Sequence, residues 1–117
     1  MAITGVHTLL YTSEPEQLRD VLKDVFGWAH VDAGGGWLIF ATPPGEMGIH
    51  PAEGEGVGTH QIALMCDDLS ATIAELSAKG VETRGEPEEA GFGLTATLVL
   101  PGGVEMMLYE PRHPTAI

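Results

Sequence analysis

The feature that most constrains this chain is an internal repeat of short strands around one helix. His7 and His60 are separated by 53 residues, and the helix-ending glycines Gly27 and Gly80 are separated by the same number. Each half predicts the order β-α-β-β-β, although the helix interiors do not match residue for residue. A half of this kind leaves one apolar sheet face that only another half or another chain can bury.

The first half covers about residues 3–52 of a single 117-residue domain. Its apolar residues recur at the i, i+3, i+4 spacing of a helix face, namely Leu18, Val21, Leu22, Val25 and Phe26. The segments predicted in order are a strand over 3–12, a helix begun by a capping box at 13–16, and three short strands at 28–32, 37–42 and 47–50. A Gly-, Pro- and acid-rich linker then reaches residue 58.

The second half covers about residues 58–111 and follows the same order. We predict, in turn, a strand over 59–66, a helix from the N-cap Asp68 to Gly80, a strand over 81–84, an acidic loop over 86–90, and strands over 93–100 and 104–109. Residues 111–117 form a tail. The fold class expected is therefore α+β, with two paired modules.

The net charge limits the classes of partner that this chain can bind. The chain carries 17 acidic and 5 basic residues, for a formal net charge of −12. This argues against nucleic acid and against an anionic membrane surface, since both are bound through Lys and Arg. Cys66 is the one cysteine, so no intramolecular disulfide forms. With no long apolar run and no signal-peptide pattern, we expect a cytoplasmic protein.

Three histidines are candidate metal ligands. His7 and His60 lie on the first predicted strand of each half, and His50 lies on the last strand of the first half. Imidazoles that converge from separate strands suit zinc, iron, nickel or manganese. No His-x-x-x-His spacing is present, so ordinary surface histidines remain the alternative. His30 and His113 are interpreted as surface residues.

The arrangement resembles the vicinal oxygen chelate superfamily, which includes glyoxalase I, bleomycin-resistance proteins and extradiol dioxygenases. The order and spacing of five segments carry the resemblance, namely Val6–Leu10, His60–Leu64, Asp67–Leu69, Ala78–Val81 and Pro101–Pro111. The resemblance implies paired modules that form a U-shaped mixed sheet around a site. It also implies a homodimer in which modules of two chains complete each cavity.

In metal-dependent members of that superfamily, the ligands come from the first and last strands of each module. Carried over by position, the resemblance implies His7, His50 and His60 as ligands to a divalent ion. The fourth position departs from the pattern, because Met107 stands where the family carries a glutamate. A thioether is a poor ligand for a hard divalent ion and cannot act as a base.

Glu105 is the candidate replacement for the missing carboxylate. It lies two residues before Met107, so alternation along a strand places both on one face. We expect the Glu105 side chain to point into the cavity and to serve as the fourth ligand or as a catalytic base. The alternative is a carboxylate at the rim of the cavity, where it meets solvent or a cationic ligand.

Three functions remain open on the sequence alone. The first is a metal-dependent lyase, isomerase or dioxygenase-type enzyme that stabilises an enediolate or a similar anion. The second is a bleomycin-resistance-type protein that sequesters a cationic small molecule, with Trp37, Phe40 and Phe92 as stacking surfaces. The third is a degenerate member that binds a partner. Met107 joins the aromatic residues as a predicted pocket residue, and neither substrate nor metal can be named.

Overall fold

The computed structural model describes residues 7–10, 12–46, 48–49 and 51–117. The first half contains helix α1 (Pro15–Asp20), which continues into a π-helical turn (Val21–Val25), and strands β1 (His30–Asp32) and β2 (Leu38–Phe40). A short 3₁₀ turn (Gly54–Gly56) lies in the linker. The second half contains β3 (Ala63–Met65), α2 (Leu69–Ala78), β4 (Glu82–Ala90), β5 (Gly93–Leu100) and β6 (Val104–Pro111).

Helix α1 forms where the apolar spacing predicts it, but it begins differently. Its apolar face packs on the core through Leu18, which is 4% exposed, and Gly27 ends the helical segment with a φ of +72°. The predicted capping box is wrong, because the N-cap residue is Glu14 and no side chain caps the helix. The Glu14 carboxylate instead accepts a hydrogen bond from the backbone N–H of Gly102, at 2.6 Å.

The four second-half strands form one mixed sheet in the order β3-β6-β5-β4, and β1 pairs with β2 as a separate antiparallel hairpin. Strand β3 runs parallel to β6, whereas β5 runs antiparallel to both of its neighbours. The parallel pair requires a crossover connection, which the segment from α2 to β5 supplies. This mixed sheet agrees with the predicted α+β class.

The two faces of the sheet differ in what covers them. One face holds the buried core together with residues from both helices, namely Leu18, Leu69, Val81, Ala96, Leu98, Leu100, Val104, Met106 and Leu108. Because side chains alternate along a strand, the intervening residues of β5 and β6 lie on the opposite face. We call this second face the open face, since α1 and α2 both pack on the other side. It is the candidate surface for ligand binding.

Strand β4 is longer than the sequence predicts. Residues 86–90 were expected to form an acidic loop, but they belong to the strand and residues 88–90 pair with β5, so that prediction is wrong. The register shifts between Arg84 and Glu88, and Gly85 takes a φ of +71° at this irregularity. Pro87 is accommodated because β4 is an edge strand, where a missing N–H costs no ladder hydrogen bond.

The opening strand of the first half is not seen in the part of the chain that the structure describes. His7–Leu10 are exposed and have no strand conformation, and the rest of the predicted strand includes residues outside the described ranges. The predicted strand at 47–50 likewise has both its end residues outside them. Among the described residues, no helix is long and apolar enough to cross a membrane.

Candidate functional site

Three rows of side chains cross the open face, and the strand registers define them. The first row contains Glu88, Thr95, Tyr109 and Met65. The middle row contains Arg84, Thr97, Met107 and Ala63. The last row contains Glu82, Val99 and Glu105. The centre of the face is therefore apolar or hydroxyl-bearing, while the charged side chains lie on β4 and at one end of β6.

An ion pair spans the middle and last rows. The Arg84 guanidinium on β4 contacts the Glu105 carboxylate on β6, although β5 lies between these two strands. The side chains of Arg84 and Glu105 are 64% and 45% exposed. The structure thus places Glu105 on the same face as Met107, as strand alternation predicts, but beside a cation of its own chain.

An aromatic and polar cluster lies at the other end of β6. The ring of Phe92 meets the ring of Tyr109 edge to face at 5.6 Å. Nδ1 of His113 is 2.8 Å from the carbonyl oxygen of Pro114, which can only accept. In the neutral imidazole Nδ1 therefore carries the proton, and Nε2 accepts a hydrogen bond from the Tyr109 hydroxyl at 3.1 Å.

Glu46 lies beside this cluster and is hydrogen-bonded to the C-terminal tail. One carboxylate oxygen of Glu46 accepts a hydrogen bond from the backbone N–H of Ala116 at 2.7 Å, and the other lies 4.0 Å from Nε2 of His113. Burial, and then the negative charge of Glu46, raise the pKa of Tyr109 above its usual value. His113, expected at the surface, keeps 32% of its side chain exposed and also contacts Tyr109.

The grouping of Tyr109, His113 and Glu46 was not predicted from the sequence. Alternation along β6 does place Tyr109 on the face of Met107, because both are odd-numbered residues of one strand, but it indicates no partner for Tyr109. No local signal links Glu46 to the tail, since Glu46 and Ala116 are 70 residues apart. The predicted site residues Phe92 and Met107 do border this face, and Phe92 is 44% exposed.

The comparisons with known proteins agree with this architecture. The profile of the Glyoxalase/Bleomycin resistance protein/Dioxygenase superfamily matches residues 5–111. The chain belongs to this superfamily. No curated protein matches it in sequence. The expected superfamily and fold are thereby confirmed, and the chain can be compared with solved glyoxalase-fold structures.

Three such structures illustrate the range of the fold. TnmS3, an antibiotic binding protein from Streptomyces sp. CB03234, is 26% identical with a TM-score of 0.65, covering 95% of this chain and 98% of the other. A lactoylglutathione lyase from Agrobacterium tumefaciens is 14% identical with a TM-score of 0.64, covering 94% and 96%. An integron cassette protein from the mobile metagenome of V. cholerae is 17% identical with a TM-score of 0.58, covering 94% and 97%.

The histidine ligand set of this superfamily member stays a prediction. His7 and His60 are exposed and lie outside strands, and His50 lies outside the described residues. On β3, Ala63 and Met65 share the open face, so continued alternation would add Gln61 rather than His60. Among the described residues, no three His, Cys, Asp or Glu side chains are grouped to hold a metal ion.

The two predicted aromatic residues of the first half are already engaged. Arg19 of α1 lies 5.2 Å from the centre of the Trp37 ring, so a cation of the same chain covers one face of that ring. Phe40 pairs with His30 across the β1–β2 hairpin, with ring centres 5.5 Å apart. Neither residue belongs to the four-stranded sheet. A ligand on the open face would therefore meet Phe92 and Tyr109 first.

Two hollows are present, and the first of them reaches Glu82 and Val99 in the last row of the open face. One of 270 Å³ is bordered by the turn before β4 and the end of β5, and another of 230 Å³ lies between α1 and the β1–β2 hairpin. Neither contains a predicted site residue. Within the described residues, both helices pack on the other side of the sheet and neither covers the open face, so a ligand held there needs cover from another surface.

Proposed function

We propose that this superfamily member binds a cationic small molecule on the open face and sequesters it without catalysis. The observation that carries the proposal is the middle row of the face, where Met107 lies between Thr97 and Ala63. At the position where catalytic relatives are expected to carry a carboxylate, this row offers a thioether. The nearest carboxylate on β6, Glu105, is paired with Arg84 and so is poorly placed to act as a free base.

Charge supports a cationic ligand. All five basic side chains already contact an acid or an aromatic ring of their own chain, namely Arg19, Lys23, Lys79, Arg84 and Arg112. Twelve negative charges therefore remain in excess. Such a surface attracts cations and repels anions at low ionic strength. The similarity to an antibiotic binding protein, TnmS3, also supports small-molecule binding.

We propose further that a second copy of the chain completes the site as a homodimer. The first half and the linker together expose several large apolar side chains, including Leu9 at 57%, Ile49 at 88% and Val57 at 66%, and exposed apolar surface of this kind is typical of protein interaction sites. Sedimentation at micromolar concentration should give a dimer. A monomer at that concentration would contradict this part of the proposal.

The binding test uses two aromatic probes of opposite charge. Ethidium, a planar cation, should bind more tightly than the anion 1-anilinonaphthalene-8-sulfonate, and its affinity should fall as salt rises from about 50 to about 500 mM. Thr97→Arg places a cation at the centre of the open face and should weaken ethidium binding. Ser70→Arg, at an exposed position on α2, makes the same charge change and should have a much smaller effect. Preferential binding of the anion would overturn the proposal.

A second candidate, a metal-dependent enzyme, is kept because Glu105 shares the open face with Met107. In that case His7, His50, His60 and Glu105 would provide ligands or a base to a zinc, iron, nickel or manganese ion acting as a Lewis acid. Metal analysis of protein purified without a histidine tag tests this candidate. A stoichiometric ion that is lost in the His7→Ala, His50→Ala and His60→Ala variants would favour it over sequestration.

A further inference from the structure

We infer that Arg84 competes with the ligand for the Glu105 carboxylate. In the free protein the Arg84 guanidinium contacts this carboxylate, as the cationic group of the ligand would in the complex. This inference rests on the proposed function, because it concerns the same face and the same class of ligand. It assigns to Arg84 the role of setting affinity and selectivity.

The path of the Arg84 side chain is the first support. Strands β4 and β6 flank β5, so their backbones are about 10 Å apart. The Arg84 guanidinium nevertheless contacts the Glu105 carboxylate. The two side chains must therefore meet above β5 on the open face, over Thr97 of the middle row and Val99 of the last row. A ligand seated on this part of the face has to displace the Arg84 side chain.

The exposure of the pair is the second support. With Arg84 64% exposed and Glu105 45% exposed, water screens their attraction, and exposed ion pairs of this kind are weak. The Arg84 guanidinium can move away from Glu105 without leaving a buried, unpaired charge. A cationic ligand that reaches Glu105 can thus replace the contact, whereas a neutral ligand would leave the carboxylate without a partner.

The surroundings of Arg84 are the third support. On β4, the open face also carries Glu82 and Glu88, and both are exposed. Once Arg84 swings away from Glu105, these carboxylates can receive it, so the displaced guanidinium remains close to negative charge. Release of Glu105 to a ligand is therefore less costly than the loss of an isolated ion pair.

A matched ion pair on the opposite face provides the control. Arg112 contacts Glu89, whose β5 partner is Leu94 on the core side of the sheet. Replacing Arg112 with a neutral residue changes the net charge by the same amount as replacing Arg84. Any difference between the two variants must then come from the open face rather than from long-range attraction.

The experiment measures ethidium affinity by fluorescence for wild type, Arg84→Gln, Arg112→Gln, Glu105→Gln and the Arg84→Gln/Glu105→Gln double variant. We expect Arg84→Gln to bind roughly two- to fivefold more tightly than wild type, the range set by loss of an exposed ion pair. Arg112→Gln should change affinity by less than about 1.5-fold, since a distant charge is screened. Glu105→Gln should weaken binding, and the double variant should match Glu105→Gln.

The outcomes separate this inference from the proposed function. If wild type binds ethidium but Arg84→Gln gains no more than Arg112→Gln, the inference is overturned while the proposed function stands. If neither wild type nor Arg84→Gln binds ethidium, the proposed function fails and the inference fails with it. Tightening in Arg84→Gln that persists in the double variant would also overturn competition for Glu105. Thermal unfolding of each variant, followed by circular dichroism, verifies that it is folded.

Discussion

The two faces of β6 share one backbone but meet different surroundings. Val104, Met106 and Leu108 are between 3% and 8% exposed, because both helices contribute to the core on their side. Glu105 and Tyr109, on the other side, face ion-pair and hydrogen-bond partners rather than a helix. Within the described residues, the helices therefore cover one face of the sheet, and the face proposed to bind a ligand has no helix on it.

The largest expected effect compares neighbouring residues of β5. Leu98→Ala should lower the free energy of unfolding by about 2–5 kcal/mol, because Leu98 is fully buried and its truncation leaves a cavity. Thr97→Ala, on the open face, should cost less than about 1 kcal/mol. Urea unfolding of both variants measures the contrast. Equal costs would show that the open face is as tightly packed as the core.

A smaller effect is expected at the turn between β5 and β6. Gly102 has a φ of +84°, and a Cβ there would collide with the Thr12 hydroxyl and lie 2.9 Å from the backbone nitrogen of Glu14. Gly103 has a similar φ of +75°, but a Cβ at Gly103 would meet no atom of the described residues within 4 Å. The two glycines therefore differ in the space around them and share the same backbone constraint.

Both alanine variants at this turn carry backbone strain of about 1 kcal/mol, since an L-residue rarely adopts positive φ. Gly102→Ala should destabilise the protein by about 1–3 kcal/mol more than Gly103→Ala, because it also separates the turn from the start of α1. Urea unfolding gives the difference. Similar free energies of unfolding for the two variants would show that the contact between the start of α1 and this turn contributes little to stability.

The smallest effect concerns pH and the polar cluster on the open face. Since burial and Glu46 raise the pKa of Tyr109, Glu46→Gln should lower that pKa part of the way toward its ordinary value of about 10. In the wild-type protein, the unfolded state loses the phenol proton once the pH exceeds about 10, whereas the folded state still holds it. The free energy of unfolding should therefore fall as the pH rises past about 10.

The pH measurement is an NMR titration of ¹³C-labelled tyrosine, with Tyr109→Phe used to assign the signal. A Tyr109 pKa unchanged by Glu46→Gln would show that the Glu46 carboxylate does not act on the phenol. Glu16→Gln, which removes an exposed carboxylate from the first turn of α1, serves as the control and should leave the titration unchanged.

Much of the fold follows from local pattern. The apolar spacing around Leu18 predicts α1, and Gly27 and Gly80, both with positive φ, end the two helical segments as expected. Alternation along β6 also predicts that Glu105 and Met107 share a face. These features depend on residues close together in the chain, and so a single sequence carries the information for them.

Other features depend on contacts between distant residues. Residues 86–90 resemble a loop in composition, yet they belong to β4 and residues 88–90 pair with β5, because an edge strand tolerates acids and proline. Arg84 meets Glu105 across an intervening strand, and Glu46 meets the tail at Ala116. The sequence by itself determined the periodicity, the glycines that end both helical segments and the faces of the strands. Only the tertiary structure decided which side chains became partners, because strand order and register bring together residues that no local spacing relates.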